Sequence, residues 1–157
     1  MFKFNLVHVL IILGILFCSA ALIAERANAS QARLAAIKAV EGLHERKHRK
    51  QIKRIVGVDP VRVPWCGAGV AYAVRKAGGT PVKHPLKAVN WVRFGKSVSL
   101  SQARKGDIVV IRTRRGYHVT VYSKRLSKTR FEGCGGNQSN SFKCSGYRVA
   151  NVKAIRR

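Results

Sequence analysis

The chain has 157 residues, 46% of them hydrophobic, and a formal net charge of +25 that comes from 31 Lys and Arg against 6 Asp and Glu. This length and composition exclude a disordered chain and a scaffold held by disulfides alone, and they fit one modest folded domain with appendages. The charge predicts an anionic partner: nucleic acid, anionic lipid headgroups or the acidic polymers of a bacterial envelope.

The N-terminus predicts an export segment. Phe4 to Ala24 carries no charge, Lys3 precedes it, and Ala27-Asn28-Ala29 is an acceptable cleavage site. The apolar run is long for a signal-peptide core and just long enough to span a bilayer. We expect residues 1–29 to be a signal peptide or a transmembrane anchor, two alternatives that the residues leave open. The rest of the chain is then exported across, or anchored in, the bacterial inner membrane and faces the periplasm or cell wall.

Residues 30–60 predict a basic amphipathic helix and a linker. Apolar residues recur every three or four positions from Ser30 to Val56, and the stretch 44–50 contains a single acid. This helix is expected to lie against a membrane, a wall polymer or solvent. Gly57 and Asp59-Pro60 end it, and we place a domain boundary there, with residues 61–157 as the main domain.

The main domain predicts the α+β class, because helical patterns come first and an antiparallel meander follows. Cys66 to Ala77 has a helical apolar stripe that Gly78-Gly79 terminates, and a short helical piece is expected around Leu86 to Phe94. The predicted strands are Asp107–Arg112, Tyr117–Ser123, Thr129–Gly133 and Tyr147–Ile155.

Cys66 falls in the first turn of its predicted helix, after Pro64 and Trp65. Unpaired backbone N–H groups and the positive end of the helix dipole favour a thiolate there and lower its pKa, and the same N–H groups can bind an oxyanion. A buried cysteine that serves only packing is the alternative.

His118 is the candidate base for such a thiol. His8 lies in the export segment, His44 and His48 lie on the basic helix, and His84 precedes a proline in a loop. His118 instead begins a strand directly after a turn, although a strand histidine is often only structural.

Asn137 and Gln138 are candidates for the polar group that orients the imidazole. They follow the strand after the one that bears His118. Cys134 and Cys144 flank the same turn region and are expected to be able to form a disulfide in an oxidising compartment, which leaves Cys66 unpaired. No spacing of Cys and His supports a zinc site, so neither a metal nor a cofactor is expected.

The ordered motifs from Val61 to Arg157 resemble one family: the small cysteine amidases and endopeptidases of peptidoglycan, in the papain-like group that includes the NlpC-type and CHAP-type lysins. The motifs are Pro64-Trp65-Cys66-x-Ala68 before a helix, Ala88-x-Asn90-Trp91-x-x-Phe94-Gly95, Gly106-Asp107-Ile108-Val109-Val110, His118-Val119 and Gly135-Gly136-Asn137-Gln138.

The resemblance implies a papain-like fold in which the cysteine helix packs on an antiparallel sheet. It implies Cys66 as nucleophile, His118 as general base and later acid, and Asn137 as the orienting residue, with Gln138 as the runner-up. The residues expected to contact substrate are Trp65, Asn90, Trp91 and Gln138. The chain departs from the family pattern at Tyr117 and Thr120, where glycine is usual, and at Cys134, where an apolar residue is usual.

The function expected on these grounds is a peptidoglycan hydrolase that cuts an amide in the peptide part of the cell wall, as a phage lysin for host lysis or entry. Its partners would be peptidoglycan and anionic envelope polymers or a membrane surface. The alternative is a membrane-anchored basic structural or nucleic-acid-binding virion protein, with a non-catalytic domain of this fold.

Overall fold

The structure is a computed structural model that describes residues 28–157. The predicted export segment, Phe4 to Ala24, lies outside the described residues. Within 28–157 no helix combines the length and the apolar character needed to cross a membrane.

Three helices precede the sheet. Helix α1 occupies residues 28–38, α2 is Arg49–Val56 and α3 is Cys66–Lys76. The strands are β1 (Ile108–Thr113), β2 (Gly116–Arg125), β3 (Arg130–Gln138), β4 (Ser141–Arg148) and β5 (Val152–Arg156). Short 3-10 turns occupy Ala88–Arg93, Leu100–Gln102 and Val149–Asn151.

The five strands form one antiparallel sheet in the order β4-β3-β2-β1-β5. Strands β1 to β4 are a meander, and β5 returns to pair with β1. The predicted α+β class is therefore confirmed. Of the predicted elements, the helix that begins at Cys66 and the short helical turn before Phe94 are present at nearly the predicted positions.

The third and fourth strands differ from the sequence-based expectation. Strand β3 continues through the glycines to Gln138, and a tight hairpin turns at Ser139 and Asn140, whose φ angles are 50° and 62°. Two positive φ angles are what a two-residue hairpin turn requires. The segment predicted as one strand, Tyr147–Ile155, is divided between β4 and β5 by a 3-10 turn. Pairing with neighbouring strands outweighs the weak strand propensity of the glycine-rich segment.

Residues 28–56 do not form one helix. The chain leaves α1 and turns at Gly42, whose φ is 90°, and residues 42–45 then run beside the start of β4. Gly42 N–H donates to Phe142 O at 2.8 Å, and Phe142 N–H donates to Leu43 O at 2.9 Å. This pairing covers an otherwise open edge of the sheet.

The domain boundary expected near Pro60 falls within a single packed unit. Ile37 of α1 and Ile52 of α2 are fully buried in the same apolar cluster as α3 and the inner face of the sheet. The basic helices therefore use their apolar sides to complete the core, and their Lys and Arg remain outside except for Arg33, which is buried. A smaller cluster, which includes Val109, Tyr122 and Phe131, lies on the other face of the sheet.

We predict that Ile37→Ala lowers the free energy of unfolding by about 2–4 kcal/mol, because it removes a buried side chain from the shared core. The matched control is Lys38→Ala, an exposed neighbour on the same helix, which should change stability by less than about 0.5 kcal/mol. Urea unfolding followed by circular dichroism measures both. Equal stability of the two variants would show that α1 does not belong to the core.

Candidate active site

Cys66 is the first residue of α3, and its side chain is 5% exposed. The backbone N–H groups of Val119, Gly67 and Cys66 itself act on the sulfur and favour its charged form. Two of these groups belong to the first turn of α3, where no helical acceptor is available to them. The third belongs to β2, so the sulfur lies where the helix meets the sheet.

Burial raises the pKa of the Cys66 thiol, and the three backbone N–H groups only partly offset this effect. The expectation of a lowered pKa is therefore wrong. A helix N-terminus favours a thiolate, but taking the sulfur out of water disfavours the charged form more strongly. Cys66 is a neutral thiol at neutral pH and needs a base before it can attack.

The part of β2 that acts on the Cys66 sulfur has no recorded pairing with β3. The pairing of β2 with β3 runs from Arg125 to Val121, and no pair is recorded for residues 116–120 of the described chain. Tyr122 N–H donates to Asp107 O on the β1 side. Because N–H directions alternate along a strand, Val119 N–H points to the opposite side, toward β3. The sulfur therefore meets the residue that directly follows His118.

His118 lies near the start of β2, beside Ile111 of β1, and is partly buried. Its Nε2 is 3.4 Å from Gln138 Oε1 and 3.2 Å from the hydroxyl of Tyr147. Burial lowers the pKa of His118, and the contact with Gln138 opposes this shift. The imidazole is therefore neutral at neutral pH, as a base must be.

The Gln138 side chain fixes which nitrogen of His118 carries the hydrogen. Its Nε2 donates to Gly133 O at 3.1 Å and to Lys143 O at 2.6 Å, so both amide hydrogens are used. Its Oε1 must then face His118, where it also accepts a hydrogen bond from Thr120 Oγ1 at 2.8 Å. An acceptor at this position favours donation by His118 Nε2, and the Tyr147 hydroxyl, 3.2 Å from the same nitrogen, is then a second acceptor. The lone pair is left on Nδ1, and this is the tautomer that can accept a thiol proton.

Gln138, and not Asn137, contacts His118, so the assignment of the orienting role to Asn137 is corrected. Alternation along β3 puts Gly135 against Thr120 and Gly136 against Trp65, and it would put residue 137 back on the Thr120 side. Asn137 instead adopts φ 57° within a register shift between Gly135 and Gln138. A bulge of this kind moves the following side chain to the other face.

Thr120 and Tyr147 were not recognised as site residues in the sequence. Thr120 replaces a glycine of the family pattern and holds the Gln138 amide, and a Cβ on Gly133 would lie 2.5 Å from its methyl group. The Tyr147 ring stacks on the imidazole with centroids 5.7 Å apart. Burial raises the pKa of Tyr147, so its hydroxyl stays protonated. The departure of Thr120 from the family pattern was the sequence signal that could have identified this residue as part of the site. No sequence signal pointed to Tyr147.

Trp65 and Trp91 are fully buried, so the expectation that they contact substrate is wrong. Trp65 packs edge-on against Phe142, and its Nε1 donates to Glu45 Oε2 at 3.2 Å. This hydrogen bond links Trp65, the residue before Cys66, to the segment between α1 and α2.

Asn90 and Trp91 hold the loop that contains His84 and Pro85 in place beside Cys66. Asn90 Nδ2 donates to His84 O at 3.0 Å, and Trp91 Nε1 donates to Pro85 O at 2.9 Å. The loop lies so close to α3 that a Cβ on Gly67 would be 2.0 Å from Pro85 O. Asn90 is thus a loop anchor, in contrast to the expected substrate contact.

Cys134 and Cys144 form a disulfide, and Cys66 is the free cysteine within residues 28–157. The two bonded residues face each other in the β3–β4 register, next to the pairs Gly133–Ser145 and Gly135–Lys143. The carbonyls that hold Gln138 belong to these neighbouring pairs. The disulfide therefore links the two strands next to the carbonyls that accept hydrogen bonds from the Gln138 amide.

The arrangement can perform nucleophilic acyl transfer. A thiol lies at the residue that follows the imidazole, the imidazole has its lone pair on Nδ1, and backbone N–H groups surround the sulfur. Both groups are neutral at rest.

Comparison with known proteins relates the chain through its fold. No family model and no curated protein matches it. The P60 domain of an antigen from M. avium paratuberculosis matches with a TM-score of 0.58 and 16% identity, over 87% of this chain and 98% of that one. The Resuscitation Promoting Factor Interacting protein RipA matches with a TM-score of 0.55 and 17% identity, over 86% of this chain and 64% of that one.

A hypothetical invasion protein of Mycobacterium tuberculosis matches with a TM-score of 0.54 and 16% identity, over 86% of this chain and 64% of that one. The chain thus spans about two thirds of the latter two structures and nearly all of the P60 domain. Its fold is the papain-like α+β fold of the P60, or NlpC-type, domains, as the motifs indicated.

We predict that alkylation of Cys66 by iodoacetamide accelerates with pH up to and beyond pH 9, the ordinary value for a thiol, because burial raises the pKa. Peptide mapping by mass spectrometry separates Cys66 from Cys18. A rate that is already constant between pH 6 and 8 would show a thiolate at rest and contradict a neutral pair.

We also predict that His118 carries its hydrogen on Nε2, which long-range ¹H–¹⁵N NMR spectra report directly. Gln138→Ala should remove this preference, because the acceptor at Nε2 is lost. Asn137→Ala, the matched control at the adjacent position, should leave the tautomer unchanged. A change in the control and none in Gln138→Ala would reassign the orienting role to Asn137.

Proposed function

We propose that this protein is a cysteine-dependent peptidoglycan hydrolase that cuts an amide in the peptide part of the bacterial cell wall. The observation that carries the proposal is the fixed Gln138 amide, which leaves the lone pair of His118 on Nδ1 beside the backbone that receives the Cys66 sulfur. The motif resemblance and the P60-type fold support peptidoglycan as the substrate.

In the proposed first half-reaction, His118 Nδ1 accepts the thiol proton as the Cys66 sulfur attacks the amide carbonyl. The Cys66 backbone N–H binds the oxyanion, with Gly67 N–H beside it. Protonated His118 then gives its Nδ1 proton to the leaving amine, and a thioester remains on Cys66.

In the second half-reaction, His118 Nδ1 accepts a proton from the water that attacks the thioester. It then returns this proton to the departing Cys66 sulfur, so that a carboxylic acid and the free thiol are released. Gln138 Oε1 holds the Nε2 hydrogen throughout. Because an amide is neutral, it orients the imidazolium without the strong stabilisation that a carboxylate would give. This agrees with the lowered pKa of His118.

Exposed apolar side chains flank the two reacting residues in the chain. Val63 precedes Cys66 by three positions, Tyr117 directly precedes His118, and Leu86 belongs to the loop packed on Gly67. An apolar rim of this kind suits the small apolar side chains of a peptide substrate better than a polysaccharide. We propose that it contacts the peptide part.

We also propose that the protein acts after export, on the envelope side of the inner membrane, in phage-directed host lysis or entry. The predicted N-terminal export segment, the small size and the net charge of +25 support this role. Anionic envelope polymers would hold such a cation near its substrate, and this attraction weakens with added salt.

We predict that Cys66→Ala and His118→Ala each lower the release of new amino termini from purified peptidoglycan by at least about 10³-fold, because each removes an essential group. Asn137→Ala serves as the control and should retain most activity. Mass spectrometry of the fragments identifies the bond. Undiminished release by Cys66→Ala would defeat the proposal, and tight nucleic-acid binding at physiological salt without hydrolysis would favour the virion alternative.

The pH profile of hydrolysis supplies a second test. Burial lowers the pKa of His118 below its ordinary value of 6.5, so the neutral base persists into mildly acidic solution. We expect kcat/KM to stay constant around pH 7 and to fall only below pH 6.5, as His118 becomes protonated. An acid limb with its midpoint above pH 7 would contradict this assignment.

A further inference from the structure

A cavity of about 750 Å³ lies at the opposite end of the sheet from His118. It is formed by the start of α1, the segment that precedes the Leu100 turn, the segment that precedes β1, and Arg157. Ile108 at the start of β1 pairs with Arg156 at the end of β5, whereas His118 pairs with Ile111 three residues further along β1. The cavity is therefore separate from the candidate active site.

The lining of this cavity is cationic. No acidic residue lines it among those described, and its five basic lining residues are Arg33, Lys96, Arg104, Lys105 and Arg157. Asp107, the buried carboxylate nearby, is already engaged by Arg157 through two hydrogen bonds of 2.8 Å and by Arg104 N–H at 2.8 Å. Five positive charges thus face one negative charge that has partners of its own.

Arg33 is the most buried cation of this group. Its side chain is 6% exposed, yet within residues 28–157 no carboxylate lies within salt-bridge distance of it. Nε donates to Gly106 O and Nη2 to Ser30 Oγ, each at 2.8 Å, and the guanidinium lies over the Phe94 ring. These neutral contacts hold the guanidinium still without neutralising it. Burial lowers the pKa of Arg33, and the charge of Asp107, which Arg157 already shares, offsets this only in part, so a further anion would stabilise the buried guanidinium.

We propose that this cavity binds a phosphate ester. A phosphodiester has four oxygens around phosphorus, two of which share its negative charge, so it can accept hydrogen bonds from several guanidinium and ammonium donors at once. The two oxygens of a carboxylate are largely occupied by one bidentate arginine, as those of Asp107 are by Arg157. The volume admits the phosphate with the alcohol on which it is carried. Glycerol phosphodiesters occur both as lipid headgroups and in soluble form, and both present this chemistry.

The test titrates the full-length protein, in neutral detergent, with glycerophosphoglycerol and measures binding by calorimetry. Saturable binding is expected. It should weaken by at least about fivefold in Lys96→Gln/Lys105→Gln, two exposed lining residues whose loss leaves the buried contacts intact. The matched control, Lys50→Gln/Lys124→Gln, removes the same charge from exposed positions elsewhere and should bind as the wild type does.

Three outcomes would overturn the proposal: no saturable binding, equal weakening in both double variants, or succinate binding as tightly as the phosphodiester. Vesicles of phosphatidylglycerol, compared with phosphatidylcholine, identify the source. Binding to anionic vesicles that depends on Lys96 and Lys105 assigns the site to a lipid headgroup, and binding to the soluble ester alone assigns it to a free phosphodiester. The proposal does not rest on hydrolysis, which is measured separately and should be equal in the two double variants.

Discussion

The side-chain amide of Gln138 is the constraint on which the candidate site depends. Both of its hydrogens are bonded to backbone carbonyls, Gly133 O on its own strand and Lys143 O on the next one. An amide held in this way cannot rotate to exchange its oxygen and nitrogen without leaving two buried carbonyls unsatisfied. Its oxygen is therefore committed to His118, and the tautomer of the imidazole follows.

The rest of the sheet maintains that constraint. The Cys134–Cys144 disulfide lies between the two strand pairs that supply the carbonyls, and Thr120 donates to the amide oxygen from β2. Glycines at 133 and 135 leave room for Thr120, since a Cβ on either would lie within 3.2 Å of its side chain. Thr120, which departs from the family pattern, can therefore be accommodated only because glycines lie opposite it.

Burial determines the resting charge state of the site. The same apolar surroundings raise the pKa of the Cys66 thiol and lower that of the His118 imidazole, so neither group is charged at neutral pH. This is notable in a protein with a net charge of +25, whose cations lie largely outside the core. Burial, and not the positive surface, therefore sets the charge state of the two groups.

The sequence by itself determined the class of fold and the helix that begins at Cys66, because these depend on local periodicity and on small residues that a helix needs for close packing. It also predicted that Cys134 and Cys144 could meet. The contact with His118 that the resemblance implied for Asn137 is made by Gln138, because the bulge at residue 137 is a property of the assembled hairpin.

Only the tertiary structure could decide whether Trp65 and Trp91 contact substrate or pack in the core, because an aromatic side chain suits both. The sequence also could not predict that residues 28–56 pack on the core, since an amphipathic helix has the same pattern whether its apolar side meets a membrane or a sheet. Burial and strand register are relations between distant segments, and the local sequence does not encode them.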